Sequence, residues 1–440
     1  MKRLFVILLA VLLIAALAAC QTTEESTASP DTTVQATQAA QAQTEAVKET
    51  AAAQDNTAKL AQPAEVVTTA NVTSNGAIDA SSIFSDRDLK QTYDLTDATY
   101  YDLSSGQDIS ITKEGVYVIS GSAENASVIV DAGDNDKVQL VLNGVTVTNA
   151  STPAIYVKNA DKVFITTVEN TTSSLTVSGA FTADGDTNTD AVIFAKDDIV
   201  LNGLGTLNIN SSDNGISGKD DIKITGGTIS ITCTSDAIEA NESIAVADGN
   251  ITINSGKDGL HAENDEDNAT GYIYICGGAF NITASSDGVQ GTTVVQIDGG
   301  SVTASSSEGI EATFVQMNGG TVKITASDDG INASAKSNSY TPTVEINGGD
   351  LTIDMGQGDT DGIDANGSIY INGGTVNINA NSPFDYDGEG KLNGGTVYVN
   401  GSQVTELTNQ MMGGGMGGPG GNMGGGMNQP GGNMGGPGGF

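Results

Sequence analysis

Tryptophan is absent from this chain, histidine occurs once, and arginine is confined to Arg3 and Arg87. Basic residues total 17 against 54 acidic ones, a formal net charge of −37 at pH 7. A chain this acidic repels nucleic acid and anionic lipid surfaces, which argues against both as electrostatic partners. Without Trp the best platform for stacking on a flat sugar surface is missing, and only tyrosines such as Tyr272, Tyr274, Tyr340, Tyr370, Tyr386 and Tyr398 remain for it. No arginine follows residue 87, so an arginine base is excluded from everything downstream. The cysteines number 3, Cys20, Cys233 and Cys276. The last two sit at different places in their repeat units, so buried packing is expected and a bridge is not.

The two ends differ in composition from the middle. Met1-Lys2-Arg3, an apolar run from Leu4 to Ala16 and Leu17-Ala18-Ala19-Cys20 form a secretory signal, too short to read as a membrane-spanning helix. The Leu-Ala-Ala-Cys ending resembles a bacterial lipobox. It marks Cys20 as the expected lipidation site and the chain as an extracellular, membrane-anchored lipoprotein; the alternative is an ordinary signal peptide with an incidental Cys. Residues 21–80 are Thr, Ala, Gln, Glu and Ser and read as a disordered tether. Residues 411–440 are Gly, Met, Asn and Pro and read as a flexible tail. Its methionines, Met411, Met412, Met416, Met423, Met427 and Met434, are potential soft-metal ligands, but their spacing follows the low-complexity repeat.

Between the ends lies a repeat. Asp-Gly-Ile and close variants begin at Asn214, Asp236, Asp258, Asp287, Glu308, Asp329 and Asp361, in steps of 22, 22, 29, 21, 21 and 32 residues. A second mark, usually Gly-Gly, keeps phase with it at Gly226, Asp248, Gly277, Gly299, Gly319, Gly348, Gly373 and Gly394. Short alternating strands follow that mark, such as Thr-Ile-Ser-Ile-Thr at 228–232 and Thr-Val-Asn-Ile-Asn at 375–379. Two marks holding one phase over many units define a solenoid. Units this short, rich in Ile, Val and Thr in period-two alternation, make strands. The expected fold is all-β, a right-handed parallel β-helix over residues 81–410. Its inward column is Ile216, Ile238, Leu260, Val289, Ile310, Ile331 and Ile363, and the two long units expel loops near 263–271 and 335–342.

Stacked coils place equivalent residues about 4.8 Å apart. Asp236, Asp258, Asp287, Glu308, Asp329 and Asp361 therefore form one ladder, and Glu239, His261, Gln290, Glu311, Asn332 and Asp364 a second, outward one. Like charges at that spacing are destabilising unless neutralised. Few lysines are phased to reach them, whereas Ca2+ binds several oxygens and bridges neighbouring carboxylates. Calcium is thus expected on Asp236, Glu239, Asp258, Asp287, Glu308, Glu311, Asp329, Asp361 and Asp364. The alternatives are turn aspartates that accept backbone N–H bonds, or a solvated acidic face. Asp184, Asp186, Asn188 and Asp190 place oxygens at every second position, as the start of a calcium loop does, without the closing Glu or flanking helices. Glu263, Asp265, Glu266 and Asp267 read as solvated. Lys196 and Lys219, each followed by Asp-Asp-Ile, read as a cross-coil Lys/Asp ladder, with a catalytic base as the sharper alternative. The single His261 reads as solvated or hydrogen-bonded and not as catalytic.

Residues 88–405 resemble a known family. The resemblance rests on Leu89-Lys-Gln-Thr-Tyr, Gly115-Val-Tyr-Val-Ile-Ser-Gly121, Val138-Gln-Leu-Val-Leu-Asn-Gly-Val145, Ala154-Ile-Tyr-Val-Lys, Ala160-Asp-Lys-Val-Phe-Ile-Thr, the Asp-Gly-Ile and Asn-Gly-Gly units and the Gly/Met tail. The chain is similar to clostridial carbohydrate-binding β-helix lipoproteins, described as binders of cellulose and of pectic acid. That resemblance implies a parallel β-helix with bound calcium, similar in shape to calcium-dependent pectate lyases, and binding without cleavage. Calcium carries over only to the Asp-Gly-Ile turns, and Asn214 lacks the acid. The expected function is calcium-dependent, non-catalytic binding of acidic plant polysaccharide at the bacterial surface, with pectic acid ahead of cellulose. The alternatives are a polysaccharide lyase, for which the lysines look too structural to supply the base, and a structural adhesin or spacer.

Overall fold

The structure is a computed structural model that describes residues 60–66, 77–264, 266–356 and 360–410. Cys20, the tether up to residue 59 and the Gly/Met tail lie outside the described residues. No helix among the described residues is long and apolar enough to cross a membrane.

The chain folds as a parallel β-helix. One coil shows the plan. Asn214–Gly218 forms the first face; Asp221–Thr232 forms the second and, after bending at Gly226-Gly227, the third; Ile238–Ala240 then returns to the first face one coil on. The first-face strands make a 12-stranded sheet of their own, while the second and third faces share a 24-stranded one. Pairing is parallel throughout, apart from a closing antiparallel pair, Thr396–Val399 with Ser402–Val404, that ends the stack.

The inward column is the one expected. Ile216, Ile238, Leu260, Val289, Ile310, Ile331 and Ile363 are in register from coil to coil, and each is at most 2% exposed. Burying such a side chain contributes roughly 1.5–3 kcal/mol, and no single coil encloses it alone.

The Gly-Gly bends carry two constraints at once. Gly320 has φ +81°, and a Cβ built there would lie 2.9 Å from the Gly299 carbonyl carbon of the coil below. Gly144 has φ +69° but nothing within 4 Å of its Cβ position. Gly320→Ala is therefore expected to cost about 2–3 kcal/mol, from backbone strain plus the clash, and Gly144→Ala only about 1 kcal/mol, from backbone strain alone. Urea unfolding of both variants checks this, and equal losses would remove inter-coil contact as the reason for the paired glycines.

The stretch read as tether is shorter than its composition suggests. Residues 61–66 and 77–95 form a strap laid along the second face, running against the order of the coils. Ala77 and Ile78 donate backbone N–H bonds to the side chains of Gln316 and Gln296, both at 2.8 Å. Ala80 and Ile83 pack on Ala245, Ala247, Tyr274 and Cys276. Further along, Gln91 accepts from Gly203 N–H at 2.8 Å and donates to the Thr225 carbonyl at 2.8 Å. Gln139 Nε2 reaches the Thr92 carbonyl at 3.1 Å. Gln62 links the first piece to the second by accepting from Leu95 N–H and donating to the Tyr93 carbonyl. The apolar patch beneath explains why Tyr274 and Cys276 point outward from the coil yet are fully buried. Cys233 and Cys276 are buried thiols.

Candidate functional site

The acidic ladder occupies the first face, where the Asp-Gly-Ile turn enters each strand. Its outward partner row is in the expected register: Glu239, His261, Gln290, Glu311, Asn332 and Asp364 are aligned coil by coil, and Asp385 extends the row. One oxygen of several turn residues is used structurally. Asn214 Oδ1 accepts from Asp236 N–H at 2.9 Å, Asp236 Oδ1 from Asp258 N–H at 2.9 Å, Asp258 Oδ1 from Asp287 N–H at 2.8 Å and Asp329 Oδ1 from Asp361 N–H at 3.2 Å. The turn aspartate thus has a backbone role, and its second oxygen is left for other partners.

Cations reach one part of the face. Lys257 Nζ and His261 Nδ1 each lie 3.8 Å from Asp236 Oδ2, and His261 Nε2 bonds Glu263 at 2.9 Å. Lys336 pairs with Glu311 at 2.7 Å. Lys336 arrives from the 335–342 loop, outside the phase of the repeat. Glu263 likewise comes from the other loop and serves the ladder through His261. Among the described residues no ion pair is made by Glu308, Asp329 or Asp364.

The electrostatics follow this distribution. Burial, opposed and outweighed by attraction to Asp236, Glu263 and Asp258, leaves the His261 ring pushed up to about 9. Burial works against Asp236 too, but His261 and the Asp258 N–H hold it below the usual carboxylate range. Asp287 is pushed up to about 7 by burial and by Asp258, Glu308 and Glu311. Glu308 rises to about 7 through burial and Glu311, and Asp329 to about 7 mainly through burial. Asp364 rises to about 6 through burial, Asp385 and Asp361. Burial is the largest cause in all four, and neighbouring carboxylates add to it.

The other expected sites fare differently. The 184–190 loop is a tight turn, with Asp184 and Thr187 exchanging backbone bonds at 3.0 Å. Asp184 is taken by Lys158 at 2.6 Å, Asn188 donates to Asp190, and Asp186 is exposed. These carboxylates do not converge. Asp190 lies one position before the ladder's phase, since Ala191 is the residue aligned with Asn214; its carbonyl takes Asn214 N–H at 3.0 Å, and burial and Glu239 raise its carboxyl. Lys219 sits over the Phe194 ring, and Asp198 is served by Lys162 at 3.1 Å, so the expected Lys196/Lys219 ladder is replaced by that pairing. Two groups of three bring ligand atoms within 4.8 Å of one another among the described residues: Asp236, Asp258 and His261, and Asp220, Asp221 and Glu242. The second group went unread in the sequence, although Asp-Asp-Ile in successive coils signalled it. Burial and mutual repulsion push Asp220 up to about 7.

A family model described as carbohydrate-binding domain-containing protein matches residues 105–359 and 304–406. The chain belongs to this family. A carbohydrate-binding domain-containing protein of Acetivibrio thermocellus is 36% identical over 126 residues, which are 28% of this chain and 44% of that protein. The chain thus spans less than half the length of that relative. A solved structure described as the polysaccharide lyase-like protein from C. thermocellum, gadolinium derivative, is 31% identical, covers 52% of this chain and 96% of its own, and gives a TM-score of 0.46.

For a member of a carbohydrate-binding family, the surfaces left open matter. The second face is covered by the strap from Gln139 to Gln316, which also withdraws Tyr274 from any sugar-stacking role. The third face is flat and polar. Its strands from Thr146–Asn149 to Ser301–Ser306 carry no charged residue, and their outward positions are Thr, Ser and Asn with one Ala279. At the bends before the later third-face strands, Asn318, Asn347, Asn372 and Asn393 form an amide ladder: the last three each donate Nδ2 to the Oδ1 of the preceding asparagine at 2.8 Å, and Asn318 donates to Asp298 Oδ1 at 2.7 Å. The Asn-Gly-Gly units were therefore more than turn punctuation.

Proposed function

We propose that the chain is a non-catalytic polysaccharide-binding protein that holds acidic glycan, of the pectic-acid kind, through calcium on the first face. The observation that carries this reading is the run of carboxylates, Asp287 buried and Glu308, Asp329 and Asp364 half-buried, that burial and crowding push well above their ordinary range. Calcium takes six to eight oxygens at about 2.3–2.6 Å. Neighbouring coils supply carboxylates in pairs there, without a third acid within 4.8 Å, so uronate carboxylates and water would complete the shell. That geometry explains how so acidic a protein attracts an acidic glycan. The lysines nearest the ladder are engaged, Lys336 with Glu311, Lys257 with Asp236 and Lys219 over Phe194, which favours binding over base-catalysed elimination. In this reading the lipid on Cys20 holds the protein at the cell surface.

The charge-free stretch of the third face favours a second ligand, a neutral glucan such as cellulose, lying flat on the rows of hydroxyls and amides.

The test is retention of the purified chain on immobilised polygalacturonate, with calcium and then with chelator, while absorbance is followed for unsaturated product. Calcium-dependent retention without product is expected. Glu308→Gln combined with Asp329→Asn should weaken it about tenfold or more, because each change removes a charged ligand. Retention that ignores chelator would sink the calcium bridge, and product would make the chain a lyase.

A further inference from the structure

We propose that Asp236, Asp258 and His261 form a site for a divalent transition metal of the zinc class, separate from the carboxylate-only coils assigned to calcium. His261 Nδ1 lies 3.5 Å from Asp258 Oδ2 and 3.8 Å from Asp236 Oδ2. A charge-assisted hydrogen bond would draw such a pair to about 2.8 Å. Here the nitrogen is enclosed and makes no hydrogen bond. Ligand atoms about 2.0–2.2 Å from a tetrahedral ion sit about 3.4 Å from one another, close to the separations found.

The surroundings set each ligand in place. His261 Nε2 is bonded to Glu263 Oε2 at 2.9 Å. Metal binding displaces the Nδ1 proton of the charged ring; with the remaining proton on Nε2, the freed Nδ1 lone pair faces the two aspartates, and Glu263 plays the outer carboxylate that orients a metal-binding imidazole. The aspartates are anchored by their other oxygens, each accepting the backbone N–H of the next coil at 2.9 and 2.8 Å. Asp236 is 4% exposed and Asp258 5%. Calcium prefers oxygen donors, whereas one imidazole with two carboxylates suits zinc, cobalt or nickel. A hollow lined by Lys219, Glu239, Asn241 and Glu263 lies beside the His261 ring.

This inference does not rest on the calcium reading, and its test separates the two. The full chain is stripped with chelator, then titrated with Zn2+ in excess Ca2+ by calorimetry, and with Co2+ by visible absorption, which reports nitrogen ligation and tetrahedral geometry. One Zn2+ per chain, not displaced by Ca2+, is expected. His261→Gln should lower the affinity by about 100-fold or more and Glu263→Gln by about 10- to 100-fold. Gln already occupies the aligned position of the next coil as Gln290, so His261→Gln should fold, and circular dichroism verifies that it does. Absence of a Zn2+ site, or affinity unchanged in His261→Gln, overturns the proposal: the first leaves His261 a plain counterion, the second assigns the metal to ladder carboxylates alone.

Discussion

In chelator the protein is expected to unfold at a lower temperature at about pH 8 than at about pH 5, and added calcium should remove most of that difference. The sign follows from the ladder. Asp287, Glu308 and Asp329 hold their protons up to about 7, and Asp364 up to about 6, against ordinary values of 3.8, 4.5, 3.8 and 3.8. A group whose folded pKa is raised contributes stability that is full below its unfolded value and lost as pH rises through the folded one. The window is therefore roughly pH 4 to 7, and stability falls across it. One pKa unit is about 1.4 kcal/mol. Asp287 is buried and counts nearly in full, while Glu308, Asp329 and Asp364 are half-exposed and are discounted for solvent screening. Neighbouring rungs also titrate together, so their shifts do not add.

The net effect is on the order of 3–5 kcal/mol in metal-free protein, or about 5 °C or more in Tm. Asp236 acts in the opposite direction, since its pKa is lowered and its contribution is lost as pH falls, but its window lies below the one tested. Calcium replaces the protons as counterion, so its stabilisation should be large at pH 8 and small at pH 5. Differential scanning calorimetry over that range decides the matter. A Tm that stays flat or climbs from pH 5 to pH 8 in chelator, with no response to calcium, would show that the ladder carries no strain for an ion to relieve.

How far this ladder was legible depended on phase. Ile216 to Ile363 and Glu239 to Asp364 were placed rung by rung, because a side chain repeated in phase with its turn has only one direction to face. The Asp-Gly-Ile turn also showed where the acids would stack. That the turn aspartate accepts a backbone N–H stood there as an alternative to calcium, and Asp236, Asp258 and Asp329 each spend one oxygen in that way, as Asn214 does without any charge. Lys336 and Glu263 were illegible. They lie in the two insertions, where no repeat fixes the direction, and their return to the face is a tertiary outcome.

The strap was hidden more deeply. Gln62, Asp88 and Gln91 have no periodic neighbours, and their partners lie far away in sequence, Thr225 being 134 residues from Gln91. Composition alone assigned residues up to 80 to the tether. What the sequence did hold was a hint on the receiving side. The outward row of the second face runs Gln139, Phe164, Val200, Lys223, Ala245, Tyr274, Gln296 and Gln316. It is less acidic and more apolar than a solvated face of such a chain should be.

Asp88→Ala is expected to release that strap and cost about 3 kcal/mol. Asp88 is 1% exposed and lies 3.7 Å from both Lys162 and Lys223, which are themselves largely covered. It also closes the strap's turn, where Asp88 Oδ2 accepts from Ser85 N–H at 2.9 Å and Ser85 Oγ accepts from Asp88 N–H at 3.2 Å. Removing one partner of a buried pair leaves the other charge uncompensated, and that loss typically runs to 3–5 kcal/mol. Lys162 keeps Asp198 at 3.1 Å, so Lys223 is the buried charge left without its counterion. The neighbouring anchor, Arg87 stacked 4.4 Å over Phe164, is worth about 1 kcal/mol and cannot hold the strap alone. Adding Lys223→Met to Asp88→Ala should therefore recover part of the stability, because the stranded charge is gone. Urea unfolding measures the cost, and amide exchange over residues 77–95 reports whether the strap has lifted while the coils stay closed. A loss below about 1 kcal/mol with the strap still protected would mean that Gln91, Gln296 and Gln316 fasten it without the buried charge.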